Sequence, residues 1–288
     1  MNLAKERLKY ITAVVIYGTI GFFLRYVTLP SEIVAMCRGI IGSTFIMLYL
    51  KSRHSSLDLK GIRNNLFFLV LSGIFLGLNW IFLFAAYMET TVAIASLCNY
   101  LAPVMVILVA PAILHEKLDV RKLPCVFIAL VGIVLVSGVI GGEGGNAKGI
   151  IMGLLAAACF VGIVLCNRKL KDISAMDRSV VQLLVSAITI FPYALIKNMG
   201  TTLEVNTVSI LIILMLGIVH TGIAYCFYFS GMALLPVQTV AILGYLEPVV
   251  SVLCSAILLH EPMNALGWIG AVMVIVSAAV SEILPEKK

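Results

Sequence analysis

Charge is what this sequence has least of. Of 288 residues only 12% are Asp, Glu, Lys or Arg, while 61% are hydrophobic, which is far too little polar surface to cover two soluble domains of that combined length. Motifs of chemistry are missing as well. There is no GxxxxGK[ST] phosphate loop, so the chain does not itself hydrolyse ATP. HExxH and GxGD are absent, and the loops are too short to house a catalytic domain, so the chain reads as not an enzyme. The seven cysteines are odd in number and lack CxxC spacing, which argues against a disulfide framework and against a metal site. They are expected to pack as small apolar residues, and no cofactor is expected.

What is present is hydrocarbon-length apolar sequence. A membrane-spanning helix takes roughly 20 apolar residues, and charge, Gly and Pro divide the chain into ten such runs: Leu8 to Val27, Ile33 to Leu50, Leu66 to Met88, Thr91 to Leu114, Leu123 to Ile140, Gly149 to Cys166, Val180 to Ile196, Val208 to Ala233, Val237 to Leu259 and Leu266 to Leu284. These runs are continuous rather than alternating, which excludes a β-barrel and predicts an all-α polytopic membrane protein with ten transmembrane helices. The first run is longer than a signal-peptide core and no small-residue cleavage site follows it, so it is expected to be a mature helix.

The net charge of +6 is explained by distribution rather than by nucleic acid, for which no partnership is expected. Alternate loops on one side carry Lys5, Arg7, Lys9, Lys51, Arg53, Lys60, Arg63, Lys117, Arg121, Lys122, Arg168, Lys169, Lys171, Arg178, Lys287 and Lys288, whereas the other side carries only Arg25, Lys148 and Lys197. By the positive-inside rule both termini are cytoplasmic, as an even number of helices requires. A multi-pass protein of the cell membrane is expected, with the lipid bilayer as its surroundings.

The chain also repeats itself. A shift of 145 positions matches Gly77 with Gly222, Phe82 with Phe227, Phe84 with Phe229 and Val92 with Val237. Tyr100, Leu101, Pro103 and Val104 then meet Tyr245, Leu246, Pro248 and Val249, and Leu114-His115-Glu116 meets Leu259-His260-Glu261. Two five-helix units are implied, residues 1–140 and 149–288, joined by the glycine-rich linker 141–148. Five is odd, so the second unit enters from the opposite side, and inverted repeats of this kind build transporters around one midplane site.

Ten spans as five plus five, Arg38 early in the second, and in each half a "YLxPV" helix ending in "LHEK" or "LHEP" resemble the drug/metabolite transporter superfamily, EamA type. The resemblance covers nearly the whole chain. It implies a central cavity lined mainly by helices 1, 3, 4, 6, 8 and 9, and export of amino acids or other small metabolites. Tyr17 stands where many members carry Trp, and His precedes the repeat-ending Glu where Gly is usual.

Glu247 lies near mid-membrane, about 15 Å beyond Val237 at 1.5 Å per residue. A carboxylate there must be paired, hydrated or protonated. Three roles stand open: proton carrier, contact for a substrate amine, or structural partner of Arg38. Gly244 and Ser251 share its face, whereas Tyr245 is about 200° round the helix. Pro248, like Pro103 in the first half, distorts the turn and frees a backbone carbonyl. Arg38 could bind a substrate carboxylate, pair with Glu247 or snorkel outward. Asn79, Trp80, Asn99, Tyr100, His220, Tyr225, Gln238 and Tyr245 complete the candidate substrate-binding or coupling set, with Tyr228 in the same aromatic inventory. His220 titrates ordinarily near neutrality, which suits proton chemistry, though a buried histidine can equally serve packing. Gly73 and Gly77 form a GxxxG pair suited to close helix contact, and Gln182, on a face with Ser179 and Ser186, suits helix packing. His115 and His260 are separated by the bilayer and cannot form a metal site. The expected function is secondary transport or facilitated export of a small polar metabolite by alternating access. Rival readings are a lipid or lysophospholipid flippase, or an intramembrane enzyme. Proton coupling and homodimerisation are left open.

Overall fold

The computed structural model describes residues 3–90, 95, 98–114, 120–136, 146–200, 202–258 and 265–283. No strand occurs among the described residues. In chain order the helices are α1 Leu3–Gly18, α2 Ile20–Leu24, α3 Ser31–Ser52, α4 Leu59–Glu89, α5 Ala102–Leu114, α6 Leu123–Val136, α7 Ala147–Lys169, α8 Ala175–Lys197, α9 Thr207–Met215, a π-helical segment Leu216–Ile223, α10 Ala224–Leu234, α11 Val237–Gly244, α12 Leu246–Leu258 and α13 Ala265–Ile283. Six continuous stretches are long and apolar enough to cross a membrane: Leu3–Leu24, Ser31–Ser52, Leu59–Glu89, Ala147–Lys169, Ala175–Lys197 and Thr207–Leu234. Four shorter apolar helices occupy the remaining expected spans. Linker residues 141–145 and the repeat-ending His115, Glu116, His260 and Glu261 lie outside the described residues.

Local chemistry sets the helix starts. Asp58, Asn146, Ser174 and Asn206 each accept a backbone N–H of the following first turn, which satisfies donors the helix itself cannot. Pro30 and Pro236 precede α3 and α11. At the end of α3, His54 adopts the left-handed region at φ 53°. The Ser55 amide then reaches back to the Leu50 carbonyl at 2.9 Å, a closing turn more often built on glycine.

The packing pairs are few and regular. α4 runs along both α7 and α8, α3 along α8 and the π segment, and α1 along α10 and α12, while α5 meets α7 and α11, and α6 meets α13. Hydrocarbon offers no hydrophobic drive for helix association, so close backbone approach and buried polar bonds must hold such pairs. Both are visible between α4 and its partners. A Cβ on Gly73 would stand 2.6 Å from Val185 Cβ, and one on Gly77 would stand 2.7 Å from Thr189 Cβ, so the GxxxG pair is where α4 and α8 touch. Beside it, Gln182 Nε2 donates to Asn167 Oδ1 at 3.2 Å and Asn167 Nδ2 donates to Ser72 Oγ at 3.0 Å. The outward faces carry large apolar side chains such as Phe67, Leu48, Ile188 and Leu195, which suits hydrocarbon surroundings.

Four expected spans are not uniform helices among the described residues. The first is interrupted at Thr19, the fourth turns at Tyr100 and Leu101 before α5, the eighth carries the π segment, and the ninth breaks at Tyr245 between α11 and α12. The interruptions of the first, fourth and ninth adjoin a central cavity, and the π segment ends two residues before Tyr225, which lines it.

Candidate functional site

A cavity of about 180 Å³ lies among α1, α3, α4, the residues leading into α5, α7, α10 and the α11–α12 break. Its charged residues are Arg38 and Glu247, and its walls include Tyr17, Trp80, Tyr100, Phe160, Tyr225, Tyr228 and Phe229.

Arg38 comes from the second turn of α3 and is buried. Its Nε donates to Thr221 Oγ1 at 3.1 Å, and its guanidinium carbon lies 5.3 Å from the centroid of the Trp80 ring, a cation–π distance. No other hydrogen bond of this guanidinium is made to the described residues. Glu247, in the first turn of α12, lines the same cavity. Among the described residues its carboxylate has neither a hydrogen-bond donor nor an ion-pair partner within 4.0 Å. The two charges thus face one cavity without closing on each other, although each lies within electrostatic reach of the other.

Polar amides form a third feature. Asn79 of α4 donates to Asn99 Oδ1 at 3.2 Å and to the Ala156 carbonyl of α7 at 2.7 Å, tying three parts of the chain at the cavity wall. Aromatic rings surround these groups. Tyr17 meets Tyr225 at 5.4 Å and Tyr228 at 5.5 Å between centroids, and Trp80 stands edge-on to Tyr225 at 6.4 Å. The Tyr17 hydroxyl is buried with no hydrogen-bond partner among the described residues.

Of the residues singled out in the sequence, Glu247, Arg38, Asn79, Trp80, Asn99, Tyr100, Tyr225 and Pro103 are brought together here. The other four are placed elsewhere. Tyr245 is fully buried against Ala129, Ile133, Val249, Ala271 and Val274, because it lies on the opposite side of its helix from Glu247. Pro248 is buried and outside the lining. Gln238 sits half-buried in the first turn of α11, before the break. His220 belongs to the π segment and turns toward the first span, its Nε2 2.8 Å from Thr19 Oγ1 and its ring 5.4 Å from that of Phe23. An ion pair between Arg38 and Glu247, one of the roles open to both residues from the sequence, is not formed.

Tyr228, part of the aromatic inventory of these spans, also lines the cavity, together with Tyr17, Phe160 and Phe229, which the sequence does not single out as lining residues. Tyr228 and Phe229 lie three and four positions after Tyr225, so helical spacing alone puts them on one face. No comparable signal marks Phe160.

Comparisons with known proteins agree with this architecture. The uncharacterized transporter YxxF of Bacillus subtilis (strain 168) is 27% identical over 278 residues, covering 95% of this chain and 88% of its own. A solved crystal structure superposes on 97% of this chain and 99% of its own with a TM-score of 0.84 at 21% identity, a likeness of fold. The EamA-like transporter family matches residues 7–138 and again residues 147–282. The chain is a polytopic membrane transporter and belongs to the EamA-like transporter family.

Proposed function

We propose that this protein moves small dipolar metabolites, amino acids among them, across the cell membrane by alternating access of the central cavity, in the direction of export. The observation that carries this reading is the unpaired carboxylate of Glu247 and the incompletely bonded guanidinium of Arg38 facing one aromatic-walled cavity. Buried charges without partners are costly, and a solute bearing an anionic and a cationic group satisfies both at once. Arg38 takes the anionic group, Glu247 the amine, and the Asn79–Asn99 pair and the Tyr17 hydroxyl the remaining polar atoms. The volume favours a small solute. About 180 Å³ is below the roughly 300–1,000 Å³ of drug-sized sites, which speaks against the lysophospholipid alternative.

The architecture behind this reading is ten spans in two inverted five-helix repeats, with both termini cytoplasmic. Two matches to one family, residues 7–138 and 147–282, support it. So does the packing: exchanging each of spans one to five with its counterpart in spans six to ten turns the α1–α10 pair into α7–α4, and leaves α3–α8 and α6–α13 paired. Bonds between the two halves stand toward both ends of the bundle. Ser230 donates to Glu6 at 2.5 Å and Tyr10 to the Val240 carbonyl at 3.1 Å at one end. Asn198 donates to Glu32 at 3.0 Å and Thr28 to the Glu204 carbonyl at the other. Alternating access breaks these sets in turn.

Coupling to protons through Glu247 belongs to the same reading. The test is uptake by proteoliposomes with and without an imposed pH gradient, for wild type and Glu247→Gln. Accumulation driven by the gradient in wild type and lost in the variant is the expected result; gradient-driven accumulation that persists in the variant removes Glu247 from that role.

A further inference from the structure

We infer that Thr221 is a positioning residue: the π-helical segment of the eighth span delivers its hydroxyl to Arg38, and that bond fixes the guanidinium on Trp80 with its outer nitrogens directed at the cavity. The inference rests on the transport reading only for what Arg38 binds; the geometry is independent of it.

The hydrogen-bond polarity is complete. Thr221 is fully buried, and its hydroxyl donates to the Leu216 carbonyl at 3.0 Å, which leaves the oxygen to accept the Arg38 Nε–H at 3.1 Å. The donor step runs five residues back along the helix. Within regular α-helix, Thr12, Thr44 and Thr189 bond four back, to Leu8, Ile40 and Val185, as α-helical geometry dictates, and Thr19, at the interruption of the first span, bonds three back to Ile16. The π turn inserts one residue and rotates the remainder of the span by about 100°. It also splits neighbouring residues between two partners, with His220 on Thr19 of the first span and Thr221 on Arg38 of the second.

The close fit of α3 on the π turn keeps this bond in register. A Cβ on Gly42 would meet Thr221 Cγ2 at 2.8 Å, one on Gly217 would meet Ile41 Cβ at 2.6 Å, and one on Gly222 would meet Phe45 Cδ1 at 2.7 Å. Residues 38, 41, 42 and 45 make one helical face, so three glycines let that whole face reach the π turn. Packing at this distance leaves the hydroxyl little room to move away from Nε. The remaining guanidinium nitrogens form no hydrogen bond to described residues, and Arg38 lines the cavity. A guanidinium clamped on one edge and open on the other suits bidentate recognition of a carboxylate or other oxyanion.

The test uses the indole itself. Trp80 and Trp268 are the two tryptophans, so in a Trp268→Phe background the purified full-length protein reports Trp80 emission alone. A full positive charge held about 5 Å from the indole shifts its emission through electrostatics. Arg38→Gln is expected to shift the emission, Thr221→Val to reproduce most of that shift, and Thr221→Ser, which keeps the hydroxyl, to retain the parental spectrum. Should Thr221→Val not fold, Thr221→Ala carries the same expectation. The assignment is overturned if Thr221→Val or Thr221→Ala keeps the parental emission, if Thr221→Ser shifts it as far as they do, or if Arg38→Gln leaves it unchanged, since the stacked geometry is then absent. The readout needs no substrate, so its failure and a failure of the transport reading are separable.

Discussion

At the scale of single residues, Arg38 and Glu247 are asked to do different work, and their variants differ accordingly. On the proposed function, removing the Arg38 charge forfeits a charge-assisted hydrogen bond to the substrate, worth about 1.5–3 kcal/mol. Arg38→Gln is therefore expected to raise half-saturation for a carboxylate-bearing substrate roughly 10- to 100-fold, read by concentration-dependent uptake into proteoliposomes. Arg38→Lys keeps the charge but loses the planar fork stacked on Trp80, and an intermediate loss is expected. Half-saturation unchanged in both variants would remove Arg38 from substrate contact. Much of this cavity was legible in the sequence because ionisable and amide groups in apolar runs are conspicuous: Arg38, Asn79, Asn99 and Glu247 draw attention by their expense alone. Aromatic residues are less informative. Tyr100 and Tyr245 hold equivalent positions in the repeat, yet Tyr100 lines the cavity and Tyr245 packs against α6 and α13. The period of a single helix around Glu247 separates Tyr245 correctly, whereas its likeness to Tyr100 suggests the opposite.

At the scale of elements, glycines report where helices touch. Gly77→Ala puts a Cβ 2.7 Å from Thr189 Cβ and 3.0 Å from the Ser186 carbonyl, overpacking expected to cost about 1–3 kcal/mol. Gly21→Ala meets only Ser251 Oγ at 3.7 Å, an ordinary contact, and removes helical glycine, so it is expected to be neutral or slightly stabilising. Thermal unfolding in detergent separates them, with a lowered midpoint for Gly77→Ala and an undiminished one for Gly21→Ala; equal midpoints would deny the close approach of α4 and α8. The helical class and the approximate spans were readable from hydropathy because hydrocarbon permits so few backbone solutions. The interruptions were not. The run from Val208 to Ala233 is largely apolar, and nothing in its composition announces the extra residue that turns His220 toward Thr19 and Thr221 toward Arg38. That choice is made by tertiary contact, through Gly42, Gly217 and Gly222. Pro248 did mark the ninth span as irregular, but the break falls at Tyr245, before the proline: Pro248 has no N–H for the Gly244 carbonyl and its ring crowds that carbonyl, so it is accommodated in the first turn of a new helix.

At the scale of the whole molecule, the proposed orientation with both termini cytoplasmic rests on the asymmetry of Lys and Arg between alternate loops. In a background lacking the native cysteines, Met199→Cys is expected to react with an impermeant maleimide in intact cells and Ser55→Cys only after permeabilisation; the reverse pattern would invert the topology, and reaction of both would break it. The repeat was legible because Tyr-Leu-x-Pro-Val recurs at one spacing; its relation to packing needed coordinates, since each helix pair joins residues far apart in sequence. The central claim, that one cavity reads both ends of a dipolar solute, is tested most directly by counterflow in proteoliposomes with a panel of L-amino acids, their amides and their N-acetyl derivatives. Wild type is predicted to exchange the free amino acids over both blocked forms, Arg38→Gln to lose the preference for acid over amide, and Glu247→Gln to lose the preference for free over acetylated amine. Wild-type exchange indifferent to both blocks, or the same change of preference in both variants, would contradict it.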